Sequence, residues 1–491
     1  MISAHEVENI DESVLKGILK RTSNSQSYES FLDQGSKCGW CRQPIRLKGK
    51  VTSINTTTGE LVAKYSTNTE PDGVLLKACG TRRVTRCPAC ATVYLGDARI
   101  LVRSGLSGGK GLPETVAFHP MVFATLTAPS FGALHQALIN LSNSITCHPG
   151  PQTKRCEHGA LLFCNMGHNI DDPIIGEPLC PHCYDYTRAI LWNATCAKLW
   201  HRTTIAIKRE LCRVLGISTR SLKDYVRVSF LKVAEYQKRG AIHLHAVIRI
   251  DSAEDGWTAP KVDIDTTLLV RVVRVAVTKA SCSFPSPLTG FVRWGSQIEV
   301  RPIVCSGVES NTVRLSSRAV ANYLAKYATK SVDSSGFLDR KITDLSELDS
   351  RGVKGHLRKL VETAWELGGR NDLELSRLRT WAHTLGFGGH WLTKSRNYSI
   401  TFGSLRTDRQ MWRVQQFSEI EDPSTDEYEV ESSWKWVGIG WSNKGDAYMA
   451  KLKSEQHIID RLLAREAKCI QLLESEVTAS SIAVDKYERE G

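Results

Sequence analysis

The placement of the cysteines constrains this chain more than any other feature. Of 15 cysteines in 491 residues, ten precede residue 184, and most of those fall in short pairs. The N-terminus, Met1 to Gly17, is acidic and polar and lacks the basic and apolar regions of a signal peptide, so the chain reads as cytoplasmic. Thiols stay reduced there, and paired thiols then point to metal rather than to disulfides. Cys38-Gly39-Trp40-Cys41 and Cys87-Pro88-Ala89-Cys90 offer four thiolates on two tight turns, which suits the tetrahedral preference of structural zinc. Cys79 is a fifth candidate that can replace one of them. A second cluster contains Cys156, His158, Cys164, His168, Cys180, His182 and Cys183. Cys180 and Cys183 anchor it, Cys156 and Cys164 complete it best, and His158 and His168 are the substitutes. Two zinc ions are expected, both structural, because neither cluster has a catalytic base beside it. Cys196, Cys212, Cys282, Cys305 and Cys469 are scattered singles and read as small buried hydrophobes or spare thiols.

Lys plus Arg number 64 and Asp plus Glu 52, so the net charge is 64 − 52, or +12. That balance fits a polyanionic partner, although a solvated surface explains the same number. At 41% hydrophobic and 24% charged the chain is globular, which excludes disordered and collagen-like classes. No uninterrupted apolar run is long enough to span a bilayer, so no membrane is expected. The sequence predicts a short helix at Ser13 to Lys20 followed by a polar stretch, a helix at Thr187 to Leu215, strands at Tyr225 to Tyr236 and Ile242 to Ile250, a strand at Leu268 to Lys279, and a helix from Arg314 to Val332.

The chemistry concentrates in two places. On a strand, residues two apart share a face, so His243 and His245 project together while Ile242, Leu244, Ala246 and Ile248 cover the other side. A hairpin centred on Arg239 pairs residue 235 with residue 243 and sets the Glu235 carboxylate beside both imidazoles. Two imidazoles and a carboxylate suit a divalent metal such as Mg or Mn with open positions. A satisfied surface strand is the plainer explanation of the two histidines taken alone. On the helix, Tyr323 and Tyr327 lie one turn apart, with Lys326 and Lys330 beside them. A tyrosine hydroxyl can attack a phosphodiester, and an ammonium nearby offsets phosphate charge.

Together these residues resemble a known family. His243-Leu244-His245 is similar to the His-hydrophobic-His motif of the HUH single-strand endonucleases, and Glu235 to the carboxylate ligand of related initiators. Phe123 to Thr127 resembles the first rolling-circle motif, and Tyr323, Lys326, Tyr327 and Lys330 resemble the two-tyrosine motif. A closer resemblance covers about residues 37 to 415. It is carried by Cys79-Gly80, Arg86-Cys87-Pro88, the Gly105 to Gly111 run, Phe123 to Ser130, Leu179 to Tyr186, Leu191-Trp192-Asn193, Trp200 to Thr204, His243 to Ile248 and Leu385 to Gly389. These segments resemble the RepSA-like replication initiators of actinobacterial plasmids and integrative conjugative elements.

The resemblance implies an α+β fold. An HUH endonuclease domain is built on a five-stranded antiparallel sheet with N-terminal and inserted zinc modules, followed by a helical or winged-helix region. The implied segments are 1–112 (zinc-binding), 113–336 (endonuclease, with a zinc insertion at about 147–186), 337–415 (helical, DNA-binding) and 416–491 (tail with an amphipathic helix). It also implies the reaction. Origin DNA is bound as duplex and single strand, and one strand is nicked by metal-assisted tyrosine transesterification. The enzyme stays on the 5′ phosphate and later rejoins the strand. The Gly-rich run at Ser104 to Gly111 is not a P-loop, so a host helicase and a host DNA polymerase are the expected partners. Lys394, Arg396, Arg406 and Arg409 are the candidate DNA-binding residues, and Trp434, Trp436 and Trp441 either stack bases or fill a β-ribbon core. A two-tyrosine HUH transposase is the nearest rival, and a zinc-stabilised DNA-binding regulator without catalysis is the rival from another class.

Overall fold

The structure, a computed structural model, describes residues 11–56, 58–137, 146–151, 153–254, 257–304, 315–330, 338, 340–371, 375, 377–417 and 428–489. Its contacts divide the chain into two units, one formed by residues 1–94 with 412–491 and the other by residues 95–411. The segments expected as a separate N-terminal region and tail therefore build one unit, and the expected 337–415 region belongs largely to the other.

The larger unit is a mixed α+β body. Its main sheet consists of β1 (Met121–Leu126), β2 (Val226–Tyr236), β3 (Ile242–Ser252), β4 (Ile298–Val304), β5 (Leu315–Ser316) and β6 (Leu392–Lys394), in the order β5-β4-β1-β3-β2-β6, and Ser281–Ser283 and Phe291–Arg293 form a separate two-stranded ribbon. All neighbours are antiparallel except β5 with β4. The sheet thus has six strands rather than five. The basic segment around Lys394 supplies its edge strand instead of a separate winged helix.

Helices α1 (Tyr186–Leu215) and α2 (Thr266–Lys279) cover one face of this sheet. Ile242, Leu244, Ala246 and Ile248 of β3 and Val122, Ala124 and Leu126 of β1 point into that core, against Ile190, Trp192 and Leu199 of α1 and Leu269, Val272 and Val273 of α2. The expected strand at 268–279 is helix α2. Asp265 caps it by accepting from the Leu268 N–H at 2.7 Å. Its buried residues, Leu269, Val272, Val273, Ala276 and Val277, recur at helical spacing, and core burial outweighs the β preference of its branched side chains. Helix α3 (Ser317–Lys330) follows β5, and α4 (Gly355–Leu367) packs beside α1.

The β2–β3 turn is held from several sides. Gly240 has φ +77°, and a Cβ there would lie 2.6 Å from a Leu360 methyl. The Asn193 amide of α1 donates to the Gly240 and Leu385 carbonyls at 2.8 and 3.0 Å and accepts from the Ile242 N–H at 2.8 Å. Arg239 donates to the carbonyls of Ala128 and Pro129, and the His356 imidazole reaches its own carbonyl at 3.1 Å.

In the smaller unit the strand Ile45–Asn55 pairs antiparallel with Tyr428–Ile439 on one side and with Leu61–Ser66 and Leu75–Lys77 on the other. The stretch after the first helix, Glu12–Thr22, is helical over Ser25–Lys37 and is capped by Asn24. The buried Arg21 guanidinium bridges Asp446 and Asp72 at 2.7 and 2.6 Å. Trp441 is half-buried and packs against Phe31 and Trp40, whereas Trp434 and Trp436 are 41% and 62% exposed. Among the described residues no helix is long and apolar enough to cross a membrane.

Replacing Asn193 by Ala orphans two buried carbonyls and one buried N–H, each costing about 1–3 kcal/mol. Urea denaturation of Asn193→Ala should show a stability loss of about 3 kcal/mol or more; a loss under about 1 kcal/mol would mean that the turn does not depend on this amide.

Candidate functional site

Residue 235 of β2 is paired with residue 243 of β3, the register that a turn centred on Arg239 requires. Glu235, His243 and His245 therefore share the face opposite the helical core. Glu235 Oε2 lies 3.0 Å from His243 Nε2 and 3.2 Å from His245 Nε2. Burial pushes the Glu235 carboxyl up, but hydrogen bonds from the two imidazoles outweigh it and hold the group below its usual range. Burial drives His245 down, favouring a neutral imidazole, the form that ligates a metal. The three donor atoms lie within 4.8 Å of one another, and three ligands leave positions open.

The neighbours of His245 fix its ring. Thr125 Oγ1 of β1 is 3.3 Å from Nδ1, and the Phe123 ring stacks on the imidazole at 5.8 Å and 10°. From α3, Tyr323 brings its hydroxyl to 3.4 Å from His245 Nε2 and meets the Phe123 ring edge-on. Tyr323 is 38% exposed, so substrate can reach it. Lys326 is exposed on the next turn of α3. Tyr327 and Lys330 lie on the same helix, and their side chains fall outside the described residues. Thr125 and Phe123 sit in the segment that resembled a motif, yet nothing in the sequence marked them as neighbours of His245.

The first cysteine group consists of Cys41, Cys79, Cys87 and Cys90. Cys38 is not in it. Cys38 is the C-cap of helix 25–37; its thiol donates back to the Gly35 carbonyl at 3.3 Å, and burial pushes it up to about 11. Cys79, arriving after the strand Leu75–Lys77, takes the fourth corner, and its N–H donates to Cys41 Sγ at 3.2 Å. The thiols of Cys90 and Cys87 lie 3.6 and 3.8 Å from Cys41 Sγ.

The second group unites Cys156, Cys180 and Cys183 with His158, whose Nδ1 is 3.3 Å from Cys183 Sγ. Cys164, expected there, lies instead beside His168, with Sγ 3.2 Å from Nε2. The turn at Cys156 to Gly159 returns His158 to the Cys180–Cys183 knuckle, and that corner is filled without Cys164. These Cys/His groups can hold metal ions such as zinc. Cys196, Cys212 and Cys282 are buried, as small core hydrophobes; Cys305 and the Cys469 side chain lie outside the described residues.

Two of the four candidate DNA-binding residues have internal duties. Arg409 forms a two-point ion pair with the buried Asp97. Lys394 donates to the carbonyls of Ser395 and Arg396 at 3.3 and 3.1 Å, and burial lowers its pKa. Arg396 and Arg406 are exposed.

Comparison with known proteins gives a consistent result. Residues 27–455 match the family model described as RepSA, replication initiator protein, pSAM2. The chain is 40% identical over 474 residues to a replication initiator protein of Streptomyces ambofaciens, covering 94% of this chain and 98% of that one. No solved structure matches.

The placement of Cys38 and Cys79 can be checked by metal analysis of the purified protein. Cys79→Ser should lose one equivalent of zinc, and Cys38→Ser should lose none. The reverse pattern would restore Cys38 as a ligand.

Proposed function

The chain belongs to the RepSA family of replication initiator proteins, and from that premise we propose that it nicks one strand of its element's origin DNA with a tyrosine. The observation that carries this reading is the Tyr323 hydroxyl, 3.4 Å from an imidazole of the Glu235–His243–His245 group. In the step proposed, Tyr323 loses its phenolic proton and its oxygen bonds to phosphorus. The P–O3′ bond breaks, and the departing oxygen takes a proton to become a 3′ hydroxyl. The 5′ phosphate remains on the enzyme as a phosphotyrosine. Glu235, His243 and His245 would hold a divalent cation, Mg or Mn, which when bound would supply positive charge to offset that of the phosphate.

The protein's own residues orient this chemistry. Thr125 and Phe123 hold the His245 ring, and Glu235 spans both imidazoles through one oxygen. Lys326, one turn from Tyr323, offsets phosphate charge. Tyr327 serves as the alternate nucleophile, with Lys330 beside it, so that a second transfer closes the displaced strand. The host supplies the helicase that opens the template and the polymerase that extends the 3′ end. Arg396 and Arg406 contact DNA phosphates.

A covalent-trapping assay tests the reaction. Protein, labelled origin DNA and Mg or Mn are combined and run on a denaturing gel. The wild type should give a metal-dependent protein–DNA band that falls at least about 100-fold in Tyr323→Phe/Tyr327→Phe and in His245→Ala. The single tyrosine variants rank the two nucleophiles. Tight origin binding with no adduct under either metal would leave a zinc-stabilised DNA-binding protein without catalysis, and joining of cut ends to new sites would favour a transposase.

Binding is tested separately. Arg396→Ala/Arg406→Ala should weaken duplex binding at low salt and reduce the slope of log K against log salt by about 1.8, at about 0.9 per phosphate contact. An unchanged slope would remove both residues from the interface.

A further inference from the structure

We infer that His135, Cys147, Cys164 and His168 form a third zinc site, closed and structural, which braces the turn of the β2–β3 hairpin. Their ligand atoms lie within 4.8 Å of one another. Cys164 Sγ and His135 Nδ1 approach His168 Nε2 to 3.2 and 3.3 Å, and Cys147 Sγ is 3.9 Å from His135 Nδ1. Two thiolates and two imidazoles make a complete tetrahedral set for zinc with no position left for water.

The surroundings are those of a metal site. The Gln136 N–H donates to Cys147 Sγ at 3.2 Å, which offsets thiolate charge. His168 Nδ1 bonds to the Asp172 carboxylate at 2.9 Å; this fixes the tautomer that leaves Nε2 as a lone-pair donor toward the other three ligands. Residues 147–148 pair with 164–166 through three backbone hydrogen bonds of 2.9 to 3.0 Å, so both cysteines are presented from one short ladder.

The ligands of this group alternate in pairs with those of Cys156, His158, Cys180 and Cys183. Along the chain the order is 135 and 147, then 156 and 158, then 164 and 168, then 180 and 183. This is a cross-braced arrangement, in which each site ties together segments that flank a pair belonging to the other.

The site reaches the catalytic hairpin through backbone. The His135 N–H donates to the Glu177 carbonyl and the Gly176 N–H to the His135 carbonyl, both at 2.9 Å. Gly176, at φ +92°, lies so close to the hairpin turn that a Cβ there would fall 2.7 Å from the Lys238 carbonyl carbon. Lys238 Nζ in turn donates to the Ile170 carbonyl, two residues beyond His168. Both sides of the metal group therefore rest on the turn that joins Glu235 to His243.

Zinc content per chain is the test, measured on the full-length protein in a His243→Ala background so that the hairpin ligands take no zinc. Three equivalents are expected, falling to two in Cys147→Ser, in Cys164→Ser and in the comparison variant Cys183→Ser. Asp172→Asn should keep three but release one to a chelator about 10- to 100-fold more readily. His135→Cys, which preserves ligation if the serine variants do not fold, should keep three and gain thiolate-to-metal absorption when loaded with cobalt(II). Amide exchange at residues 237–241 should rise in Cys147→Ser while residues 45–55 keep their protection. Two equivalents in the starting protein, or three retained in Cys147→Ser, would overturn the site; unchanged exchange at the turn would overturn its bracing role. None of these readouts involves DNA, so their failure is distinct from a failure to form the tyrosine adduct.

Discussion

The Asn193 amide on the β2–β3 turn is the contact on which the rest of the larger unit depends. Strand side chains alternate with a period of two, so a slip of one residue would send His243 and His245 into the helical core and bring Leu244 out to the surface. Apolar burial under α1 and α2 opposes that slip, and the turn removes the remaining freedom. Gly240 alone can adopt the required backbone there, and the Asn193 side chain satisfies polar groups on both sides of it. Glu235 meets both imidazoles because this register sets it opposite His243 and beside His245 on the same face. Tyr323 joins them from α3, a separate element.

The insertion obeys different physics. Among the described residues between 146 and 183 the buried ones are Cys164, His168, Gly176, Pro178 and Cys180, so almost no apolar core holds this segment. Its Cys/His groups can hold metal ions, and where they do, free energy of metal binding becomes free energy of folding. The smaller unit combines both means. Its four-thiol group adjoins Val74 and Leu76, while an aromatic cluster and the Arg21 ion pairs secure the helices.

The parts of this architecture legible in sequence were those written in local periodicity. The hairpin showed alternation, a glycine turn and paired histidines within one short segment, and its register followed. Helix α1 showed its 3.6-residue repeat. Helix α2 was misread because Val and Thr dominate its composition, and burial at helical spacing decides against their intrinsic preference. Spacing also failed to report direction. Cys38 and Cys41 have knuckle spacing, but the helix end before them takes Cys38 for its own cap. In the insertion two Cys/His groups alternate along the chain, so proximity in sequence places Cys164 with Cys156, Cys180 and Cys183 and gives no reason to include His135 or Cys147. The duty of Arg409 was hidden for the same reason, since Asp97 lies 312 residues away.

The strand Ile45–Asn55 pairs along its whole length with Tyr428–Ile439, which is made almost four hundred residues later. During synthesis the ribosome therefore releases the complete 95–411 unit while the first strand, which pairs with Leu61–Ser66 and Leu75–Lys77 on one side, still lacks its partner on the other. Closing so large a loop costs only about 0.6 kcal/mol more for each doubling of its length, because the entropy grows with the logarithm of that length. The delay lies in the order of events rather than in energy: the unit that begins the protein is the last to be finished. A truncated product, from a premature stop between residues 412 and 428, would carry the hairpin and Tyr323 on an intact sheet while leaving one edge of the strand Ile45–Asn55 exposed. An exposed edge of that kind is a template for pairing with other chains and a target for quality control.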